Sequence, residues 1–87
     1  MNVSKHGDLR ARERMGIPRK AVKRTADKAM KHGIDRNTSR GPLRMFIEAT
    51  HRKHRGVEAI VKVYGDQAFI FAGGSLVTVF PVPAWGR

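Results

Sequence analysis

Cysteine is absent from this 87-residue chain, so neither a disulfide frame nor a thiolate metal site is available to it. Aromatic residues make up only 7%. No stretch approaches the roughly 20 consecutive apolar residues that span a bilayer. The opening Met1-Asn2-Val3-Ser4-Lys5-His6-Gly7-Asp8 lacks the apolar run of a secretory signal. A soluble, cytoplasmic protein is therefore expected. Acidic residues are scarce too: 7 Asp+Glu stand against 18 Lys+Arg, a formal net charge of +11. The length is short for two ordinary domains but sufficient for one small core, so a single domain over 1–87 is expected.

The excess charge is unevenly placed. Residues 1–57 hold 16 of the 18 basic residues and 5 of the 7 acidic ones, together with all four His. Residues 58–87 are neutral and rich in apolar residues. A concentrated positive field favours a polyanionic partner, because each neutralised phosphate releases counterions. The plainer alternative is a solvated surface that serves solubility alone. A membrane partner is disfavoured, since no predicted helix pairs a basic face with bulky interfacial aromatics.

The periodicity predicts three helices and then three strands. Ser4 suits the cap of a helix over Lys5–Met15, whose apolar side (Leu9, Ala11, Met15) is thin. Gly16-Ile17 breaks the chain, and Pro18 suits the first turn of a second helix. There Ala21, Val22, Thr25, Ala26, Ala29 and Met30 form one stripe. Gly33 is expected to end it in a left-handed conformation, with Ile34 folding back. Pro42 opens a third helix with Leu43, Phe46, Ile47 and Thr50 at helical spacing, and Gly56 stops it. From Glu58 the period changes to two. Glu58–Tyr64, Gln67–Ala72 and Leu76–Phe80 read as strands joined by Gly65-Asp66 and Gly73-Gly74. In the last strand Leu76, Thr78 and Phe80 are expected on one face, with Val77 and Val79 on the other. The expected fold class is α+β, with two to three N-terminal helices packed on one face of a C-terminal three-stranded antiparallel β-meander. On this reading 1–57 is a basic helical part, 58–83 the meander, and 84–87 a tail carrying Trp85.

The first helix also carries a candidate site. His6, Arg10 and Arg14 stand at i, i+4 and i+8, on one side of the helix. Asp8 is placed to pair with Arg12 and Glu13 with Arg10, but Arg14 has no acid three or four residues away within its helix. Like charges at this spacing repel by a few tenths of a kcal/mol, an arrangement that suits a bound anion. The positive end of the helix dipole disfavours imidazolium at the first turn, which fits His6 as a neutral general base; a surface or capping role is the alternative. Arg12, Lys20, Lys23, Arg24, Lys28, Lys31, Arg52, Lys53 and Arg55 are candidate phosphate contacts, without base specificity. His51 and His54 at i, i+3 lack an evident third ligand, so no metal and no cofactor is expected. Tyr64, Phe69 and Phe71 either stack on bases or fill the core.

The segment Lys5-His6-Gly7-Asp8-Leu9-Arg10 through Arg14-Met15-Gly16-Ile17-Pro18, with a closing strand Leu76-Val77-Thr78-Val79-Phe80, resembles small bacterial and phage proteins of the barnase/EndoU/colicin/RelE-like ribonuclease superfold. The resemblance implies a site of His6, Arg10, Arg14 and Thr78, and metal-independent RNA cleavage. In such chemistry the substrate's 2′-hydroxyl attacks, His6 takes its proton, the two guanidiniums stabilise phosphorane charge, and Thr78 orients a phosphate oxygen. The superfold also contains inactive binders. RNA is thus favoured over DNA as the ligand, with an antitoxin as a protein partner of the toxin type. A second reading is a non-catalytic, phage-encoded inhibitor that sets its basic face into the nucleic-acid channel of a host nucleoprotein such as a CRISPR effector. A third is helix-turn-helix DNA binding through the two helices joined at Gly16-Ile17-Pro18, although the Ala-rich second helix offers few side chains for base edges.

Overall fold

In the computed structural model, residues 2–54 and 59–86 are described. Arg55, Gly56 and Glu58, to which the sequence assigns a phosphate contact, a helix stop and a strand start, lie outside the described residues.

Local chemistry sets the helices. Ser4 is extended (φ −69°, ψ 162°), and its Oγ accepts the Gly7 N–H at 2.9 Å, so α1 (Lys5–Met15) starts on a side-chain cap. It ends on Gly16 in the left-handed region (φ 63°), whose N–H donates to the Arg12 carbonyl at 3.0 Å. Pro18 then leads directly into α2 (Arg19–His32), which buries Val22, Ala26 and Ala29. Pro42 lies in the first turn of α3 (Gly41–Lys53), which buries Phe46, Ile47 and Thr50. The Thr50 hydroxyl donates to the Phe46 carbonyl at 2.9 Å, satisfying a polar group inside an apolar layer.

Gly33 corrects the expectation of a left-handed cap: its backbone is extended (φ −67°, ψ 154°). The reason lies one residue on. Ile34 does not fold back on α2 but forms a β-bridge with Val63, exchanging N–H···O bonds of 2.7 and 2.8 Å, so the chain must leave the helix extended. Lys62 Nζ anchors the same corner on Asp35 Oδ2 at 3.0 Å. That hydrogen bond, above the other contacts, holds the Asp35 carboxyl below the ordinary aspartate range.

The described residues place four strands in the sheet, not three. Besides β2 (Ala59–Tyr64), β3 (Gln67–Ala72) and β4 (Ser75–Pro81), Asn2–Val3 forms a short β1, and the order is β1-β4-β3-β2. β1 runs parallel to β4, with Val3 opposite Leu76; the other pairs are antiparallel. The sheet is therefore mixed. Gly73 and Gly74 both have positive φ (58° and 78°), the type I′ geometry that matches the twist of a hairpin.

A β-bulge overturns the expected alternation of the last strand. Phe71 pairs with Leu76, but Ile70 pairs with Thr78, so Val77 is the extra residue. Leu76 and Val79 thereby share one face, while Val77 and Phe80 pack in the opposite layer. The bulge lets β4 serve both sides of the sheet with large apolar residues.

Both sides need this, because helices cover both, correcting the one-face arrangement. On one side Ala11, Val22, Ala26 and Ala29 of α1 and α2 meet Phe69, Phe71, Leu76 and Val79. On the other, Phe46 and Ile47 of α3 meet Val61, Val63, Ala68, Ile70 and Val82. Phe69 and Phe71 are about 1% exposed and stack at 6.5 Å, so they belong to the core and offer no platform for bases. Burial of each such side chain stabilises by about 1.5–3 kcal/mol. The tail is not loose either: Ala84–Gly86 makes a 3₁₀ turn, with Trp85 edge-on to Phe46 at 6.0 Å.

One glycine sets how α1 lies on the sheet. A Cβ at Gly7 would meet the Leu76 carbonyl oxygen at 2.3 Å, and Ser4 N–H donates to that oxygen at 3.0 Å. The first turn of α1 thus rests directly on the β4 backbone. Such an approach needs almost no apolar side chain, which explains why Ala11 is the buried side chain of α1.

Candidate nucleic-acid interface

With their inner sides on the sheet, α1 and α2 turn their charged sides outward. Lys5, His6, Arg12 and Arg14 of α1 are exposed, as are Arg19, Lys20, Lys23, Arg24, Lys28 and Lys31 of α2. Among the described residues, ion pairs on this layer join Arg12 Nε to Asp8 at 3.1 Å and Arg10 Nη1 to Glu13 at 3.3 Å. No hydrogen bond or ion pair within the described residues holds Arg14, Arg19, Lys20, Lys23, Arg24, Lys28 or Lys31. Ten Lys and Arg against three acids, Asp8, Glu13 and Asp27, leave the two consecutive helices with a net positive field.

An open cleft of about 600 Å³ lies between β1, the first turns of α1 and the start of α2. Lys5, Arg12, Arg19 and Lys23 line it, with Asp8 as the acid and Val3, Leu9 and Val22 as apolar lining. Since Asp8 is held by Arg12, the other three cations face whatever enters the cleft. Lys5 and Arg19 carry this role without having been singled out in the sequence. A signal was available: Lys5, Asp8 and Arg12 at i, i+3 and i+7 share a side of α1, and Arg19 and Lys23 are i, i+4 on α2. The acid in the first set disguised it.

Of the four residues matched to a ribonuclease site, His6 and Arg10 meet, whereas Thr78 is held apart from them. Arg10 Nε lies 3.5 Å from His6 Nε2, and Arg14 stands further along the exposed side of α1. Neither these three nor Thr78 lines the cleft. Thr78, half-buried on β4, pairs with Ile70, a residue of the α3 layer. The sheet therefore lies between its side chain and α1.

No protein-family model, curated protein or solved structure matches the chain.

Of the remaining candidates, Lys20, Arg24, Lys28 and Lys31 lie on the outer side of α2, away from the cleft lining, whereas Arg52 and Lys53 belong to α3 across the sheet. Among the described residues no group of three or more His, Asp or Glu is placed to hold a metal ion. His51 is pushed below the ordinary imidazole range, first by burial and then by the Arg36 charge, with Glu48 opposing and His54 adding to the shift. No helix among the described residues is long and apolar enough to cross a membrane.

Proposed function

We propose that the protein binds nucleic acid, RNA in the first instance, through the outer side of α1 and α2, without cleaving it. The observation that carries this reading is the run of exposed cations without partners along these two helices, two of which, Arg19 and Lys23, line a cleft whose acid, Asp8, is already paired. Such a surface supplies backbone affinity and register rather than sequence readout. Against catalysis stands the location of Thr78 behind the sheet: His6 and Arg10 meet on the exposed side of α1, but Thr78 cannot orient a phosphate oxygen between them.

The test is a titration of single-stranded RNA at several salt concentrations. Each neutralised phosphate contributes about −0.7 to the slope of log K against log salt for a single strand. Replacing Arg19 and Lys23 by Glu, both exposed, is expected to weaken binding at least tenfold at low salt and to flatten that slope. Unchanged affinity in this variant would overturn the assignment. RNA incubated with the protein in EDTA is expected to remain intact; 2′,3′-cyclic ends that disappear in His6→Ala would restore the catalytic reading.

A further inference from the structure

Across the sheet from the basic cleft, a second surface combines the opposite chemistry with the same sign of charge. Trp85 is 59% exposed and Met45 67% exposed, two of the large apolar side chains that the fold leaves in solvent. With Ala49, Arg44 and Arg52 they line an open cleft of about 470 Å³ on the outer side of α3. We infer that this cleft seats an unpaired nucleobase, with Trp85 as the stacking platform and Arg44 and Arg52 as the contacts to the flanking phosphates. The inference rests on the nucleic-acid reading and narrows it to single-stranded ligand.

Three features argue for a base in that position. The indole is held in place before any ligand arrives: it packs edge-on against Phe46, with rings 6.0 Å apart and inclined at 72°. Behind it the turn is pressed onto α3, since a Cβ at Gly86 would sit 3.1 Å from the Phe46 Cβ. A fixed aromatic surface loses little freedom when a base stacks on it. The charges flank it suitably: Arg44 and Arg52 are two helical turns apart, about 12 Å along α3. The acid between them, Glu48, also lines the cleft but is paired with Arg36. Glu48 accepts a fork of hydrogen bonds from Arg36, 2.9 Å from Nε and 2.8 Å from Nη2, so it does not neutralise the pair by contact. Aromatic faces beside cationic side chains are how sequence-tolerant proteins hold single strands. A duplex, whose bases are stacked on each other, presents no free face to Trp85.

Trp85 is the chain's one tryptophan, so its emission reports on this cleft alone. The intact protein is titrated with an oligouridylate of about ten nucleotides, with a duplex of equal charge, and with poly-glutamate. Binding is followed independently by anisotropy of an end-labelled oligonucleotide. The single strand is expected to quench the emission in step with the anisotropy, and the duplex and poly-glutamate to leave it nearly unchanged. Trp85→Leu is expected to weaken single-strand binding roughly tenfold, whereas Trp85→Phe, which keeps a ring, retains most of it. Binding by anisotropy with unchanged emission, or equal affinity for Trp85→Leu, would overturn the stacking seat and leave the basic face standing. Equal quenching by poly-glutamate would reassign the cleft to an acidic protein segment and overturn the seat. Absence of binding to every oligonucleotide would remove both readings.

Discussion

Replacing Gly7 by Ala sets two physical effects against each other. Helix propensity alone favours Ala by up to about 1 kcal/mol. The packing predicts the reverse. The new Cβ would stand 2.3 Å from the Leu76 carbonyl oxygen and 2.9 Å from its carbon, where ordinary contact begins at 3.4 Å. The obstacle is backbone in the middle of the sheet, so the first turn of α1 must rise by roughly 1 Å. That displacement breaks the 3.0 Å bond from Ser4 N–H to Leu76 O, worth about 1 kcal/mol. It also opens a gap beneath Ala11, forfeiting a quarter to a half of the dispersion there, and such overpacking costs about 1–3 kcal/mol. The net expectation is a loss of about 1–3 kcal/mol, which lowers Tm by roughly 5–20 °C for a domain of this size. Urea denaturation and thermal melting followed by circular dichroism measure it directly. A variant as stable as the parent, or more so, would refute the close approach of α1 to β4.

Other outcomes follow from the same structure. Ser4→Ala removes the acceptor for Gly7 N–H and is expected to cost about 1 kcal/mol by urea denaturation, while Ser4→Asp retains the cap. Acid is expected to destabilise the fold in two stages. His51 is held below its ordinary range, so the unfolded chain takes up its proton first; the corresponding stability is complete above about pH 6.5 and falls as pH drops below it. Asp35 and Glu48 are held down by Lys62 and Arg36 respectively, so their share persists until pH falls below about 4 and is lost on descent through their folded values. Urea midpoints recorded from about pH 7 to pH 3 should show both stages, with the upper one missing in His51→Gln.

Much of this architecture is written in periodicity. The stripe Val22, Ala26, Ala29 and the run Leu43, Phe46, Ile47, Thr50 mark α2 and α3, and the alternation Phe69, Phe71 against Ala68, Ile70 marks β3. Amphipathicity, however, says which side of a helix is buried and not which face of the sheet buries it, so the position of α3 was not legible. β1 is two residues long and has no pattern to detect. The bulge at Val77 hides in a segment that alternates acceptably in either register, and it alone decides which side Thr78 faces. The candidate site was legible as a basic surface. Its cleft was not, because that depends on how α1 and α2 meet β1, a contact between residues distant in sequence from the strand that organises them.

The parallel pairing of Val3 with Leu76 has a bearing on how the molecule forms. Because α1 offers little but Ala11 to bury, its dock is the backbone of β4, more than sixty residues downstream. Before β4 is made, α1 has only its contact with α2 to rest on, so its main support comes from the last of the described strands. A nascent chain that stops before Ser75 would carry the charge of α1 and α2 without the strand on which α1 rests.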